Sequence, residues 1–225
     1  MELLEFARGP GLAIALTIFA TGVAWRIYGI LRLGRKPDFS APRSTQTTAG
    51  AWRMILRKMW PHREFYADSA GATFNGYLYH VSWFVAFIAF VPHIAFVKRL
   101  TGISWPAPPD TVMYVATALA ILGLIVALLR RLTDPVLRLL SNFDDYFSWI
   151  VTMLPLVTGM ALIHGSYHGL EQVPPTPYTM PLALHLLSLE LLLVWMPFGK
   201  LSHAFLVFLS RGTTGAAFAR KGAQP

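Results

Sequence analysis

The chain has 225 residues, 55% of them apolar and only 13% charged, about half the charged share usual in soluble globular proteins. A soluble chain of this length still leaves roughly 30% of its surface exposed, too much to be reconciled with so apolar a composition, so residues 1–225 read as one integral membrane unit. The absence of cysteine excludes disulfides, thiolate metal sites, a covalently attached c-type haem and any thiolate-held iron–sulfur cluster within the chain.

Five apolar stretches are long enough to cross a bilayer, which takes about 20 helical residues. Lipid leaves no other way for such runs to satisfy their backbone, so the expected fold is all-α, a membrane bundle of five transmembrane helices. The first runs from Gly9 to about Leu31, with Arg26 near its end and able to snorkel to the interface. The polar loop Gly34–Thr73 follows, and within it Ala51–Trp60 reads as an interfacial helix, with Arg and Lys beside Trp and Met. The remaining spans are Phe74–Val97, Thr111–Leu129, about Tyr146–His164 and about Pro181–Phe208, the last holding Glu190 and Lys200. A loop rich in Pro, Gly and Tyr, His164–Met180, separates the last two.

Charge sets the expected orientation. Sixteen of the 19 Lys and Arg residues lie at the end of the first span, in the loop after it, in the Arg130–Arg138 turn and at the C-terminal end; only Arg8, Lys98 and Arg99 lie opposite. The positive-inside rule then puts the N-terminus outside and the C-terminus in the cytoplasm. The net charge of +8 is therefore topological, and nucleic acid drops out as a partner. The segment MELLEFARG does not read as a cleavable signal, because acidic residues stand where a basic region belongs. The expected location is the inner (plasma) membrane of a prokaryote.

Of seven histidines, His62 reads as solvated in a loop, and His164 and His168 as interfacial. His80, His93, His185 and His203 lie inside apolar helices, where an ionisable residue is costly and points to function. His185 and His203 are 18 residues apart, five turns of a continuous helix, which would aim both the same way about 27 Å apart. His80 and His93 are separated by about 20 Å of rise. Two helices thus each offer one imidazole at two depths, His80 with His203 inside and His93 with His185 outside. This suits two bis-histidine haems, whose closed coordination serves electron transfer. Thirteen residues leave His80 and His93 some 140° apart in azimuth, and Pro92, able to kink the helix, is the device that could re-aim His93. On spacing alone a single haem, or histidines that only pack helices or relay protons, remain alternatives; the rival function is a non-redox membrane anchor or small transporter.

The segment HLLSLELLLVWMPFGKLSHAF resembles the last helix of respiratory nitrate reductase gamma subunits, the membrane cytochrome b of that enzyme. The family shows a second His just after a Pro-Phe-Ser/Gly-Arg/Lys-Leu stretch, which Pro197, Phe198, Gly199, Lys200, Leu201 and His203 match. The turn RRLTDPVLR, Arg130–Arg138, resembles that family's turn between its third and fourth helices. The resemblance implies two haem b groups on His80, His93, His185 and His203, quinol oxidation near the outer haem, and electrons delivered inward. It implies an electron-transfer subunit of an oxidoreductase complex, fed by the membrane quinone pool and paired with a cytoplasmic iron–sulfur subunit and a further catalytic subunit. Gamma-like subunits also serve sulfur metabolism, where they feed a protein resembling heterodisulfide reductase. The departure lies in the second span, where the family's histidines stand closer together than His80 and His93.

Glu190, the one carboxylate deep in a span, is a candidate proton acceptor or a protonated packing residue; it stands about 140° off the His185 stripe. Lys98 and His164 join it as quinol-site candidates, with Trp105, Tyr167 and Tyr178 nearby. Lys98 and Arg99 could equally hold haem propionates or snorkel to lipid phosphate. Asp144 and Asp145 are placed to cap the fourth span, and Gly22, Gly76, Gly123 and Gly159 to permit close approach. The basic cytoplasmic segments Gly34–Thr73, Arg130–Arg138 and Arg211–Pro225 form the expected docking surface for the iron–sulfur partner, while also meeting anionic lipid.

Overall fold

A computed structural model describes residues 2–34, 38–60, 64, 66–163 and 179–223. His62, His164, His168, Tyr167 and Tyr178 lie outside the described residues. Among those described, the chain is helical and has no strand. In order come α1 (Leu3–Arg8), α2 (Pro10–Arg32), α3 (Thr47–Arg57), α4 (Tyr66–Ala89), α5 (Val91–Thr101), α6 (Asp110–Thr133), α7 (Pro135–Leu140), α8 (Phe143–Met160), α9 (Thr179–Trp195) and α10 (His203–Arg220).

Among the described residues, two helices are long and apolar enough to cross a membrane, α6 and the 30-residue stretch Leu3–Arg32. The number rises to four if α4 with α5, and α9 with Lys200–Arg220, each count as one broken span. Large apolar side chains such as Val81, Phe84, Val115 and Leu122 face outward, a liability in water that a lipid solvent removes. Helix α8 is not among these spans: its 18 residues rise about 27 Å and its first turn carries Asp144 and Asp145.

Two expected spans are broken, each at a proline. Helix α4 ends before Phe90, whose ψ of 132° is extended, and α5 begins with Pro92 in its first turn, the two bent by 59°. The expected continuous helix over Pro181–Phe208 is likewise divided. Pro197 has no N–H to donate and disfavours helix at Met196, and Gly199 is extended at φ −95°, ψ −172°. The five-turn register between His185 and His203 is therefore corrected: they stand on different helices.

The chain forms two compact units. The first comprises residues 1–19 and 72–196. Its core joins Ala120 and Leu124 of α6 to Met153 and Leu156 of α8, with Tyr79, Trp83 and Ala86 of α4 packed against them. Close approach is bought with a missing side chain at Gly123, where a Cβ would lie 2.8 Å from that of Tyr79. At one end, Arg131 pairs with the buried Asp145 at 2.9 Å. Asp145 also completes a capping box with Asn142 at the start of α8, which is the capping role expected of it. Asp144 accepts from Ser148 Oγ at 2.8 Å and from the Trp195 indole at 3.2 Å.

The second unit comprises residues 20–71 and 197–225. In it α3 lies against α10 with backbones almost touching, because Gly50 faces Ala219 and Gly215. The chain before α3 is tied to the end of α10: Arg43 donates its amide to the Arg220 carbonyl at 2.9 Å. Arg220 Nη2 donates to the carbonyls of Asp38 and Ser40 at 3.0 Å each. The Ser40 hydroxyl and amide hold the Asp38 carboxyl below the usual carboxylate range, helped by the charges of Lys221 and Arg220. Arg26 reaches Ser202 Oγ at 3.5 Å, and Gly22 lets Pro197 pack where a Cβ would sit 2.7 Å from it.

Candidate functional site

A helix that stops leaves its last carbonyls without partners inside it. The stop at Ala89 does this to Phe87 and Ile88. The Trp105 indole donates to the Ile88 carbonyl at 3.1 Å, and His93 Nδ1 donates to the Phe87 carbonyl at 2.7 Å. A carbonyl only accepts, so the His93 proton sits on Nδ1 and the lone pair on Nε2. The break thus both turns His93 off the α4 register and fixes its tautomer.

The His93 ring lies nearly parallel to that of His185, at 10° and 6.2 Å between ring centres. His185 belongs to α9 and rests against α8. Its Nδ1 lies 3.1 Å from Thr158 Oγ1. Thr158 donates its own proton to the Leu154 carbonyl at 2.8 Å, and Ser188 donates to the His185 carbonyl at 2.7 Å. Both hydroxyl protons are thereby committed, so His185 Nδ1 is the donor and its Nε2 also keeps the lone pair. Gly159 makes room for this ring: a Cβ there would lie 3.0 Å from His185 Cε1.

The other two histidines follow the same rule. His80 Nδ1 donates to the Gly76 carbonyl at 2.8 Å, and the ring stacks on Tyr79 at 4.4 Å. His203 Nδ1 donates to the Lys200 carbonyl at 2.8 Å. His80 belongs to the first unit and His203 to the second. The structure brings together His93 and His185, and places His80 and His203 each in its own surroundings.

A protein of Nitratidesulfovibrio vulgaris (strain Hildenborough) is 30% identical over 220 residues, 96% of this chain and 93% of that one. The chain belongs to that protein's family. No family model matches.

The nitrogen donors that could hold a metal or cofactor in this chain are imidazoles. Among the described residues, no three His, Asp or Glu side chains gather into a metal site. Second-partner bonds on the far ring nitrogen are what hold ligating histidines in orientation, and all four histidines have one. The buried Trp83 Nε1 has no acceptor among the described residues and is a donor available to a polar group.

Glu190 is buried on α9. Its Oε2 would lie 2.7 Å from a Cβ on Gly11, and its Oε1 has no hydrogen-bond partner among the described residues. Lys98 is exposed in the last turn of α5, five residues and about 140° beyond His93. Thr158 and Ser188 were not singled out in the sequence. Their signal was there: Ser188 stands one turn after His185, and Thr158 precedes the glycine that makes room for its ring.

Proposed function

We propose that this chain is the haem b-carrying membrane subunit of a respiratory oxidoreductase, similar to the gamma subunits of nitrate reductases or to their counterparts in sulfur metabolism. It oxidises quinol on the outer side and passes electrons to a cytoplasmic iron–sulfur subunit, which serves a further catalytic subunit. The observation that carries this reading is the parallel His93–His185 pair, each ring held through Nδ1 with its Nε2 lone pair kept for a metal. The reading takes five spans, α8 being the fourth, with the N-terminus outside and the C-terminus in the cytoplasm of a prokaryote's plasma membrane. The placing of 16 of the 19 Lys and Arg residues supports that orientation.

His93 and His185 would hold the outer haem, and His80 and His203 the inner one. Haem bound by these residues would supply a one-electron carrier at each depth. The protein's own part is to aim and to move protons. The Phe87 carbonyl and the Thr158 hydroxyl orient the outer imidazoles, and the Gly76 and Lys200 carbonyls the inner ones. Quinol gives up two electrons and two protons, and Glu190, with Lys98 and His164, is the set proposed to handle the protons at the outer side. With no cysteine to hold a cluster, the exit for electrons is a partner docked on the basic segments Gly34–Thr73, Arg130–Arg138 and Arg211–Pro225.

The pairing is tested in membranes carrying the full chain. His93→Ala and His185→Ala should each remove the same b-type signal from the reduced-minus-oxidised spectrum, and His80→Ala and His203→Ala the other. If His80→Ala and His185→Ala instead abolished one common signal, the pairing would be wrong.

A further inference from the structure

We propose that the exposed face of α3 is a lipid-docking surface that seats this helix on an anionic membrane leaflet. This inference does not depend on haem and goes beyond the electron-transfer reading. It assigns to lipid the part of the Gly34–Thr73 segment that carries α3.

Helix α3 has two apolar faces. Gly50, Met54 and Ile55 are buried, on the side that packs against α10. Trp52 and Leu56, one turn apart on the other side, are each 62% exposed, and just past the helix end Trp60 is 73% exposed. A water-facing surface does not favour a row of large apolar groups. Arg53 and Arg57 each follow a member of this row by one residue, about 100° around the helix, so a basic row runs parallel to the apolar one. Both arginines are exposed.

The charge around this row selects the occupant. Residues 39–60, which include α3, carry Arg43, Arg53, Arg57 and Lys58 and no Asp or Glu, and the nearby Asp38 is engaged by Arg220. Tryptophan settles at headgroup depth in a bilayer. Arginine lays its stem along apolar surface and reaches phosphate with its planar fork. A purely aqueous setting leaves the tryptophans unexplained, whereas an anionic lipid surface takes both rows at once.

The absence of cysteine permits a clean label. A nitroxide on Leu56→Cys in the full chain, reconstituted in nanodiscs containing phosphatidylglycerol, should be accessible to oxygen and shielded from a water-soluble nickel complex. Phosphatidylcholine alone, or Arg53→Gln with Arg57→Gln, should return it toward water, each lost charge weakening surface partition about fivefold. Hydrogen exchange of the unsubstituted chain should show more protection over residues 47–60 in the anionic nanodiscs, a readout free of any substitution. Equal nickel access and equal exchange in both lipids would overturn the proposal. So would a label already shielded from both reagents in lipid-free detergent, which would mean a protein occupies the face.

Discussion

His93 donates to a carbonyl six residues back and across the helix break, whereas His80, inside the unbroken α4, reaches the carbonyl four residues back, one turn below it. Pro92 was visible in the sequence as a kink, and the 140° phase error between His80 and His93 was visible as a problem. The solution was not legible, since it depends on the extended backbone of Phe90 and on which freed carbonyl the ring meets. Gly159 is the matching device on the other side of the pair. A valine there would push against His185 Cε1 and Nδ1, so Gly159→Val should remove the outer of two b-type signals and leave the inner one. Gly29→Ala is the control, because a Cβ at Gly29 meets nothing within 4 Å; its spectrum should match the parent chain.

Helices α3 and α10 are joined by the absence of side chains rather than by their presence. A Cβ on Gly215 would lie 2.5 Å from Met54 Cβ and 3.0 Å from Ala51 Cα, and one on Gly50 would lie 2.7 Å from the Gly215 carbonyl oxygen. Backbone cannot step aside as a flexible side chain can, so Gly50→Ala or Gly215→Ala should each cost about 1–3 kcal/mol. The measure is a lower midpoint of thermal unfolding in detergent, with faster hydrogen exchange across both helices. Unchanged midpoints in both variants would mean the helices do not meet this way. This pair was poorly legible in the sequence, where α3 was visible by its amphipathic pattern but α10 (His203–Arg220) was divided between the end of a span at about Phe208 and a basic tail from Arg211. Pro197 and Gly199 lie within the stretch that carried the family resemblance, and their consequence for the backbone, a break, outweighed the regular spacing of His185 and His203.

For the molecule as a whole, composition anticipated the helical class and the helices long and apolar enough to cross a membrane, because apolar surface on this scale has few other solvents. The outward-facing Val81, Phe84, Val115 and Leu122 express that composition in three dimensions. Span boundaries were legible to within a few residues where the pattern was simple, as in α6. They were less so where polar groups open a helix, as Asp144 and Asp145 do in α8. The candidate histidines were visible in the sequence as ionisable residues in apolar helices; the hydrogen bonds of their rings were not, since they depend on helix ends and on hydroxyl partners from neighbouring helices. The central claim is that these four histidines hold haem, and the most direct measurement is the pyridine haemochrome of the purified full-length chain, expressed in cells that make haem. The account predicts two b-type haems per chain, falling to one when both His93 and His185 are alanine; a folded, colourless chain with no haem would contradict it.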